Sequence, residues 1–147
     1  MSKARELANL RGTPTDHNIL LQSTAGDALT AGGGTHNIAA GLNALGAATT
    51  GDDNVAIGYN ALAIAGDASD NVAVGNFALD SNTTASNNTA LGSSALKANT
   101  ASGNTAVGRS ALTANTTGTP NTAVGYQALD ANTTGTNNTA FGDNALG

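Results

Sequence analysis

His17 and His36 are the only imidazoles in the chain, and each stands directly before an Asn-Ile pair, 19 residues apart. Equivalent places on successive units would bring the two imidazoles together, and copies of the chain gathered around one axis would add more, a set able to hold a transition-metal ion. The plainer expectation is a pair of polar turn residues. Asp52-Asp53 and Asp67/Asp70 supply hard oxygen ligands of the kind Ca²⁺ takes, but they lack the Gly-Gly-x-Gly-x-Asp register of calcium-binding rolls. The sequence therefore predicts no metal and no cofactor. Gly32-Gly33-Gly34 opens no helix and is expected to be a connector rather than a phosphate cradle. The chain has no cysteine, no Gly-x-Ser-x-Gly elbow, no phosphate loop and no His-Glu-x-x-His string. No catalytic constellation is present, and an enzyme is not expected. Asn82, Asn115 and Asn132 each begin an Asn-x-Thr acceptor string, which reads as connector composition.

What positions these residues is an unusual composition. Ala (30), Thr (21), Asn (19) and Gly (19) make up about three residues in five of the 147. Leu, Val, Ile and Phe total only 25, so a conventional bulky core is not available. Three of the five Lys/Arg lie in the first eleven residues, and the net charge is −5. No basic stripe exists for a phosphate backbone, and no nucleic-acid partner is expected. No apolar run approaches the ~20 residues of a membrane span, and the basic N-terminus is not followed by the apolar stretch of a secretory signal.

The dominant signal is internal repetition. The nonapeptide Asn-x-Ala-x-Gly-x-x-Ala-Leu begins at Asn37, Asn54, Asn71, Asn88, Asn104, Asn121 and Asn138, at spacings of 17, 17, 17, 16, 17 and 17. Polar connectors such as Asn115-Thr-Thr-Gly-Thr-Pro120 join the copies, and the one deletion falls in such a connector, at Asn99-Thr-Ala-Ser-Gly103. A degenerate unit starts at Asn18, with Gln22 where the others have glycine. Atypical terminal units are expected of repeat arrays. The last nonapeptide is followed only by Gly147, which suggests a fragment or a chain that continues into something else.

Seventeen residues are too few for a two-helix repeat or a propeller blade but suit one coil of a β-solenoid. The second and fourth positions of each unit, such as Val55 and Ile57 or Thr105 and Val107, share one strand face; Asn, Ala and Gly take the other. Gly at the fifth position is expected to end or bend the strand, and the Ala-Leu pair to form a second short strand. Coils stacked about 4.8 Å apart would satisfy backbone groups by parallel pairing, giving a rod of roughly 35–40 Å. The leading Asn of each unit is expected to stack amide to amide. A roll filled by Ala56, Ala73, Ala90, Ala106, Ala123 and Ala140 is thin. The second/fourth-position face and the row Leu62, Leu79, Leu96, Leu112, Leu129 cannot both fit inside it, so one is expected to face other subunits. Gly and Asn recur too often for long helix; Ser2 to Leu10 alone reads as a short one. The domains expected are an N-terminal helical cap over residues 1–17 and a repeat domain over 18–147. The sixth and seventh positions vary from coil to coil and hold Tyr59, Asn76, Phe77, Arg109, Tyr126 and Gln127. Of these, Tyr59, Phe77, Arg109 and Tyr126 are the candidate partner-facing residues.

The units Asn121-Thr-Ala-Val-Gly-Tyr-Gln-Ala-Leu129 and Asn54-Val-Ala-Ile-Gly-Tyr-Asn-Ala-Leu62 resemble the head repeats of YadA-like trimeric autotransporter adhesins. They are still more similar to the repeat arrays of phage tail fibres, whose Ala-Val-Gly-Tyr-Gln-Ala-Leu wording and Asn-Thr-Thr-Gly connectors recur here. The resemblance covers residues 18–147. It implies an all-β, left-handed parallel β-roll (β-solenoid) of about eight 17-residue coils, in an intertwined or side-by-side homotrimer. The function implied is a structural, non-enzymatic segment of a tail fibre or adhesin-like appendage. The expected partners are further copies of the chain, neighbouring fibre segments, and a host-surface glycan or protein. Membrane insertion is not expected. The location implied is the virion, or alternatively the extracellular space or bacterial cell surface. The spacing of 17 exceeds the usual adhesin coil, and neither a stalk nor a membrane anchor is present, which favours the fibre. Two rival expectations are an ice-binding solenoid, from Thr116-Thr117 and Thr133-Thr134, and a glycan-binding recognition head.

Overall fold

The structure, a computed structural model, describes residues 10–11, 17–22, 24–29 and 34–147. It is all-β: nine short strands form one sheet in chain order. They are β1 (Leu10–Arg11), β2 (Ile19–Leu21), β3 (Ile38–Ala40), β4 (Val55–Ile57), β5 (Val72–Val74), β6 (Thr89–Leu91), β7 (Thr105–Val107), β8 (Asn121–Val124) and β9 (Asn138–Phe141). Strands β2 to β9 pair in parallel, each with its copy one repeat away, so that Ala56 meets Ala73 and Ala73 meets Ala90. A β-solenoid of about seven turns results, with the repeat expected from the sequence. The degenerate unit at Asn18 is its first coil, since Ile19 pairs with Ile38.

β1 runs antiparallel across that first coil, with Leu10 opposite Leu21 and Arg11 opposite Leu20. The expected helix over Ser2 to Leu10 is therefore corrected at its last residue. Leu10 satisfies the open edge of β2 as a strand, which a helical backbone cannot do. Residues 2–9 lie outside the described residues. Among the described residues no helix is long and apolar enough to cross a membrane.

The two apolar stripes are assigned unambiguously. Leu45, Leu62, Leu79, Leu96 and Leu112 are completely buried, together with the third-position and eighth-position alanines such as Ala73 and Ala78. The second/fourth-position face points outward, where Ile57, Val72 and Leu91 are exposed and Val74 and Val107 half-buried. The expected second strand is absent: the Ala-Leu pair lies in a turn, and each repeat leucine from Leu45 to Leu146 has φ between 51° and 54°. That left-handed backbone is rare for a side chain of this size, but it serves the stack. From Leu45 to Leu129 each leucine N–H donates to a carbonyl of the next coil, as Leu62 does to Ala78 at 2.9 Å and Leu79 to Ala95 at 3.1 Å.

The leading asparagines form a continuous buried column. Each Oδ1 accepts the backbone N–H of the next asparagine, from Asn18 to Asn37 at 2.7 Å through Asn121 to Asn138 at 2.9 Å. The amide-to-amide contact expected occurs only in part, as between Asn54 and Asn37 or Asn71 and Asn54. Each Nδ2 instead mostly closes its own coil, Asn37 on Gly51, Asn54 on Ala68, Asn71 on Ala85 and Asn121 on Gly135. A buried amide with all its partners holds the coil in one register, because leaving any of them unmade carries the full desolvation cost.

Asn88 is the exception. Its Nδ2 is buried and has no hydrogen-bond partner, and its coil is the one shortened to 16 residues. The deletion displaces the connector carbonyl that other coils bring to this amide. Inserting a threonine between Thr100 and Ala101, as in Thr83-Thr84, is expected to raise stability by about 1–2 kcal/mol by supplying that acceptor. Thermal unfolding of the insertion variant measures it, and an unchanged or lower midpoint would rule out this origin for the orphaned amide.

Candidate functional site

Connector residues that suggested chemistry are largely occupied in stacking. Asn82, Asn99 and Asn115 are fully buried. They build a second amide column that sequence reasoning missed: Asn115 Nδ2 donates to Asn99 Oδ1 at 2.7 Å, and Asn132 Nδ2 to Asn115 Oδ1 at 2.9 Å. Asn82 and Asn115 also fold back on their own connectors, at Ala85 and Gly118. Two of the three Asn-x-Thr acceptor nitrogens are thus sealed inside the fold. A third column runs through the residue two before each leading asparagine. There Asp52 N–H donates to Ser69 Oγ, Ser69 N–H to Ser86 Oγ and Ser86 N–H to Ser102 Oγ, all near 3.0 Å. The hydroxyls of Thr100 and Thr116 likewise donate to the carbonyls of Thr116 and Thr133 on the next coil.

His17 and His36 do come together. Their rings stack with centroids 5.3 Å apart at 15°, and His36 Nδ1 lies 3.7 Å from Asp53 Oδ1, both side chains well exposed. Both histidines, Asp53 and Asp70 share one left-handed position ahead of successive strands, with φ of 56° to 59°. Among the described residues, however, no group of three or more His, Cys, Asp or Glu side chains converges in a way that would hold a metal ion. The acidic connectors have other partners. Asp52 accepts the Thr35 N–H at 2.6 Å and its hydroxyl at 3.0 Å. The backbone bond, then the hydroxyl, holds its carboxyl below the usual range. Asp67 is lowered in the same way by the hydroxyls of Thr50 and then Thr49.

The candidate partner-facing residues all lie along one corner of the solenoid, at the turn that follows each strand. Tyr59 and Tyr126 are exposed, as is Arg109, and Phe77 is half-buried. They form two clusters rather than four isolated side chains. Tyr59 and Phe77 meet edge to face at 5.1 Å, and Lys97 Nζ sits 5.1 Å above the Phe77 ring. Arg109 lies 5.5 Å over the Tyr126 ring and donates to its hydroxyl at 3.3 Å. These contacts follow from the coil rise of about 5 Å, which brings Arg109 and Tyr126 together at the same repeat position and Tyr59, Phe77 and Lys97 together at neighbouring ones on adjacent coils.

A further feature of this corner was not visible in the sequence. An open cleft of about 320 Å³ is lined by Asp27, Asn43, Ala47, Asn60, Ala63, Ile64 and Asp80 among others. Asn43 Nδ2 donates to Asn60 Oδ1 at 3.3 Å. Burial raises the Asp80 carboxyl above its ordinary range, with the Lys97 ammonium pulling it back. The cleft exists because the tenth position is Gly46 and Ala63 in two consecutive coils, whereas later coils carry Asp80, Lys97, Thr113 and Asp130 there. The signal is thus the smallness of two residues, which carries no chemistry until the coils are stacked.

No protein-family model, curated protein or solved structure matches this chain.

Proposed function

We propose that this protein is a structural, non-enzymatic fibre segment. In this reading three copies join side by side through their outer sheet faces, forming a rigid shaft of a phage tail fibre or similar adhesive appendage borne on the virion. The observation that carries the reading is the outer face itself. Ile19, Leu21, Ile57, Val72, Leu91 and Phe141 are exposed on the outer face of β2, β4, β5, β6 and β9, with Val74, Val107 and Val124 half-buried between them. Parallel sheets normally have both faces covered, and a contiguous apolar band of this extent marks an interaction surface. The inner face is covered by the chain's own leucines, so the outer face is the one that needs a partner. Repetition of such coils supplies length, and contacts between chains supply the stability that an alanine-filled interior lacks.

The ice-binding rival calls for free, regularly spaced threonine hydroxyls, and of Thr116-Thr117 and Thr133-Thr134 the Thr116 hydroxyl is tied to the carbonyl of Thr133. Solution mass tests the fibre reading. Sedimentation equilibrium is expected to give about 43 kDa, three times the 14.2 kDa chain. Val107→Asp or Val74→Asp is expected to abolish assembly, since an unpaired charge would be desolvated in all three chains at once. A folded 14.2 kDa monomer of the parent chain, or a heat-resistant trimer from either variant, would overturn it.

A further inference from the structure

We infer that the solenoid is divided into two blocks, the coils up to Asn87 and the coils from Asn88 onward, which part between the connector that starts at Asn82 and the shortened connector that starts at Asn99. The division is an opening point built into the rod: the amino-terminal block comes away as a unit while the other stays folded. It rests on contacts within one chain, so it stands apart from the trimeric reading.

A connector one residue short cannot reach both of its neighbours, and this one has moved off the coil before it and onto the coil after it. The N–H of the second connector residue donates to the same position of the next coil, from Thr49 to Gly66 O at 3.0 Å, Gly66 to Thr83 O at 2.8 Å, Thr100 to Thr116 O at 2.9 Å and Thr116 to Thr133 O at 2.8 Å. Among the described residues this ladder breaks once, between Thr83 and Thr100. The second amide column breaks at the same place. Asn115 reaches Asn99 and Asn132 reaches Asn115, but Asn99 Nδ2 turns to Ala101 O of its own connector at 2.6 Å rather than to Asn82. The orphaned Asn88 Nδ2 belongs to the same coil. Ala101 O, which matches the Ala68 and Ala85 carbonyls that serve Asn54 and Asn71, is taken instead by Asn99 and, at 3.4 Å, by Asn104 of the following coil. Asn104 Nδ2 also reaches Asn99 Oδ1 at 3.2 Å, and the Thr119 hydroxyl donates to Ser102 O. Between the two connectors themselves there remain two bonds, Ser86 N–H to Ser102 Oγ at 2.9 Å and Gly103 N–H to Ser86 O at 3.1 Å.

The composition of the coil changes at this interface too. The second position of the unit is Ile19, Ile38, Val55 and Val72 before it, and Thr89, Thr105, Thr122 and Thr139 after it. The stability of a stack is a sum of coil terms and nearest-neighbour terms, so the stack divides where the neighbour term is weakest, and each part then opens as a cooperative unit. The two parts are not equally tied. The carboxy-terminal block carries both amide columns, whereas the amino-terminal block has Ala48 and Ala65 where the second column would run and a first coil with Gln22 at φ 116°. The amino-terminal block is therefore the one that opens first.

Native-state hydrogen exchange of the full chain, followed by NMR at low denaturant, tests this on four amides bonded within one block. Gly58 donates to Ala40 O and Gly75 to Ile57 O in the first block; Thr89 donates to Asn104 O and Gly108 to Leu91 O in the second. After correction for intrinsic rates, Gly58 and Gly75 are expected to exchange together, and roughly tenfold or more faster than Thr89 and Gly108. The step falls between Gly75 and Thr89. Inserting a threonine between Thr100 and Ala101 restores the reach of the connector and is expected to bring all four amides within about threefold of one another. The inference fails if the four share one rate in the parent, or if the rates decline smoothly from coil to coil with no step, as fraying from an end would give. It fails equally if the insertion leaves the step in place. The parent measurement decides the first two outcomes without any variant.

Discussion

Gly92→Ala is expected to destabilise the solenoid by about 4 kcal/mol, while Gly66→Ala changes it by less than about 1 kcal/mol. The fifth-position glycines form a column with φ between 128° and 140°, a region that side chains scarcely enter, at a cost of about 1–3 kcal/mol. Space compounds the strain. A Cβ on Gly92 would stand 2.6 Å from both the carbonyl carbon and the oxygen of Gly108 and 3.0 Å from Arg109 N. All three are backbone atoms of the next coil, so relief requires opening the stack, which adds about 1–3 kcal/mol of overpacking. Gly66 has an ordinary φ, and its nearest neighbour would be Thr83 O at 3.6 Å. Alanine there restricts the unfolded chain without strain and is neutral or slightly stabilising. The first coil illustrates the same pressure. Gln22 occupies the glycine column with φ 116°, and the bond across it, Gly41 N–H to Leu21 O, is 3.3 Å where the next six are 2.8 Å. Thermal unfolding of the two variants decides the matter: a Gly92→Ala midpoint within two or three degrees of the parent would mean the column is not conformationally required.

The same columns explain how much of the molecule was legible beforehand. A 17-residue period with Ala between two larger positions specifies a strand with a thin inner face, and β4 to β9 follow it, with that Ala paired coil to coil. Which apolar stripe turns inward was not legible, because it depends on Leu62 and its equivalents adopting φ near 52°. Strand periodicity carries no information about a left-handed turn. Asn82, Asn99 and Asn115 were read as loop composition, since Asn-Thr-Thr looks the same whether its amide faces water or the interior. Only stacking shows that they replace Ala48 and Ala65 at one buried position. Tyr59, Phe77, Arg109 and Tyr126 stand out in the sequence because they vary within an otherwise constant unit, and the structure groups them into two clusters. The cleft beside them was not, because Gly46 and Ala63 define it by what they lack.

Asn71→Leu, a substitution of similar bulk, is expected to cost about 4 kcal/mol, and Asn71→Asp to cost more at pH 7 than at pH 3. Asn71 is fully buried. Its Oδ1 accepts the Asn88 N–H at 3.0 Å, and its Nδ2 donates to Ala85 O and Ser69 O, each at 3.0 Å. Leucine keeps the volume but strands a buried donor and a buried acceptor, at about 1–3 kcal/mol each. It also removes the link to Asn54 Oδ1 at 3.2 Å. Aspartate keeps the acceptor for Asn88 but turns an oxygen toward the two carbonyls. Burial and those carbonyls favour the protonated acid, whose O–H can replace one donor, so the folded-state pKa is raised above the unfolded value of about 3.9. A raised carboxyl pKa contributes stability that is present below the unfolded value and lost as pH rises through the folded one. The deficit of Asn71→Asp relative to the parent should therefore be smallest near pH 3 and reach its full size by neutrality. Asn144→Ala supplies the contrast, because Asn144 is exposed and its amide only meets the adjacent Asp143; its left-handed φ of 50° makes the expected cost about 1 kcal/mol. Chemical denaturation at the two pH values measures all three variants. If Asn71→Leu loses less than 1 kcal/mol, or if the Asn71→Asp deficit does not shrink in acid, the column's buried hydrogen bonds are not what fixes one coil upon the next.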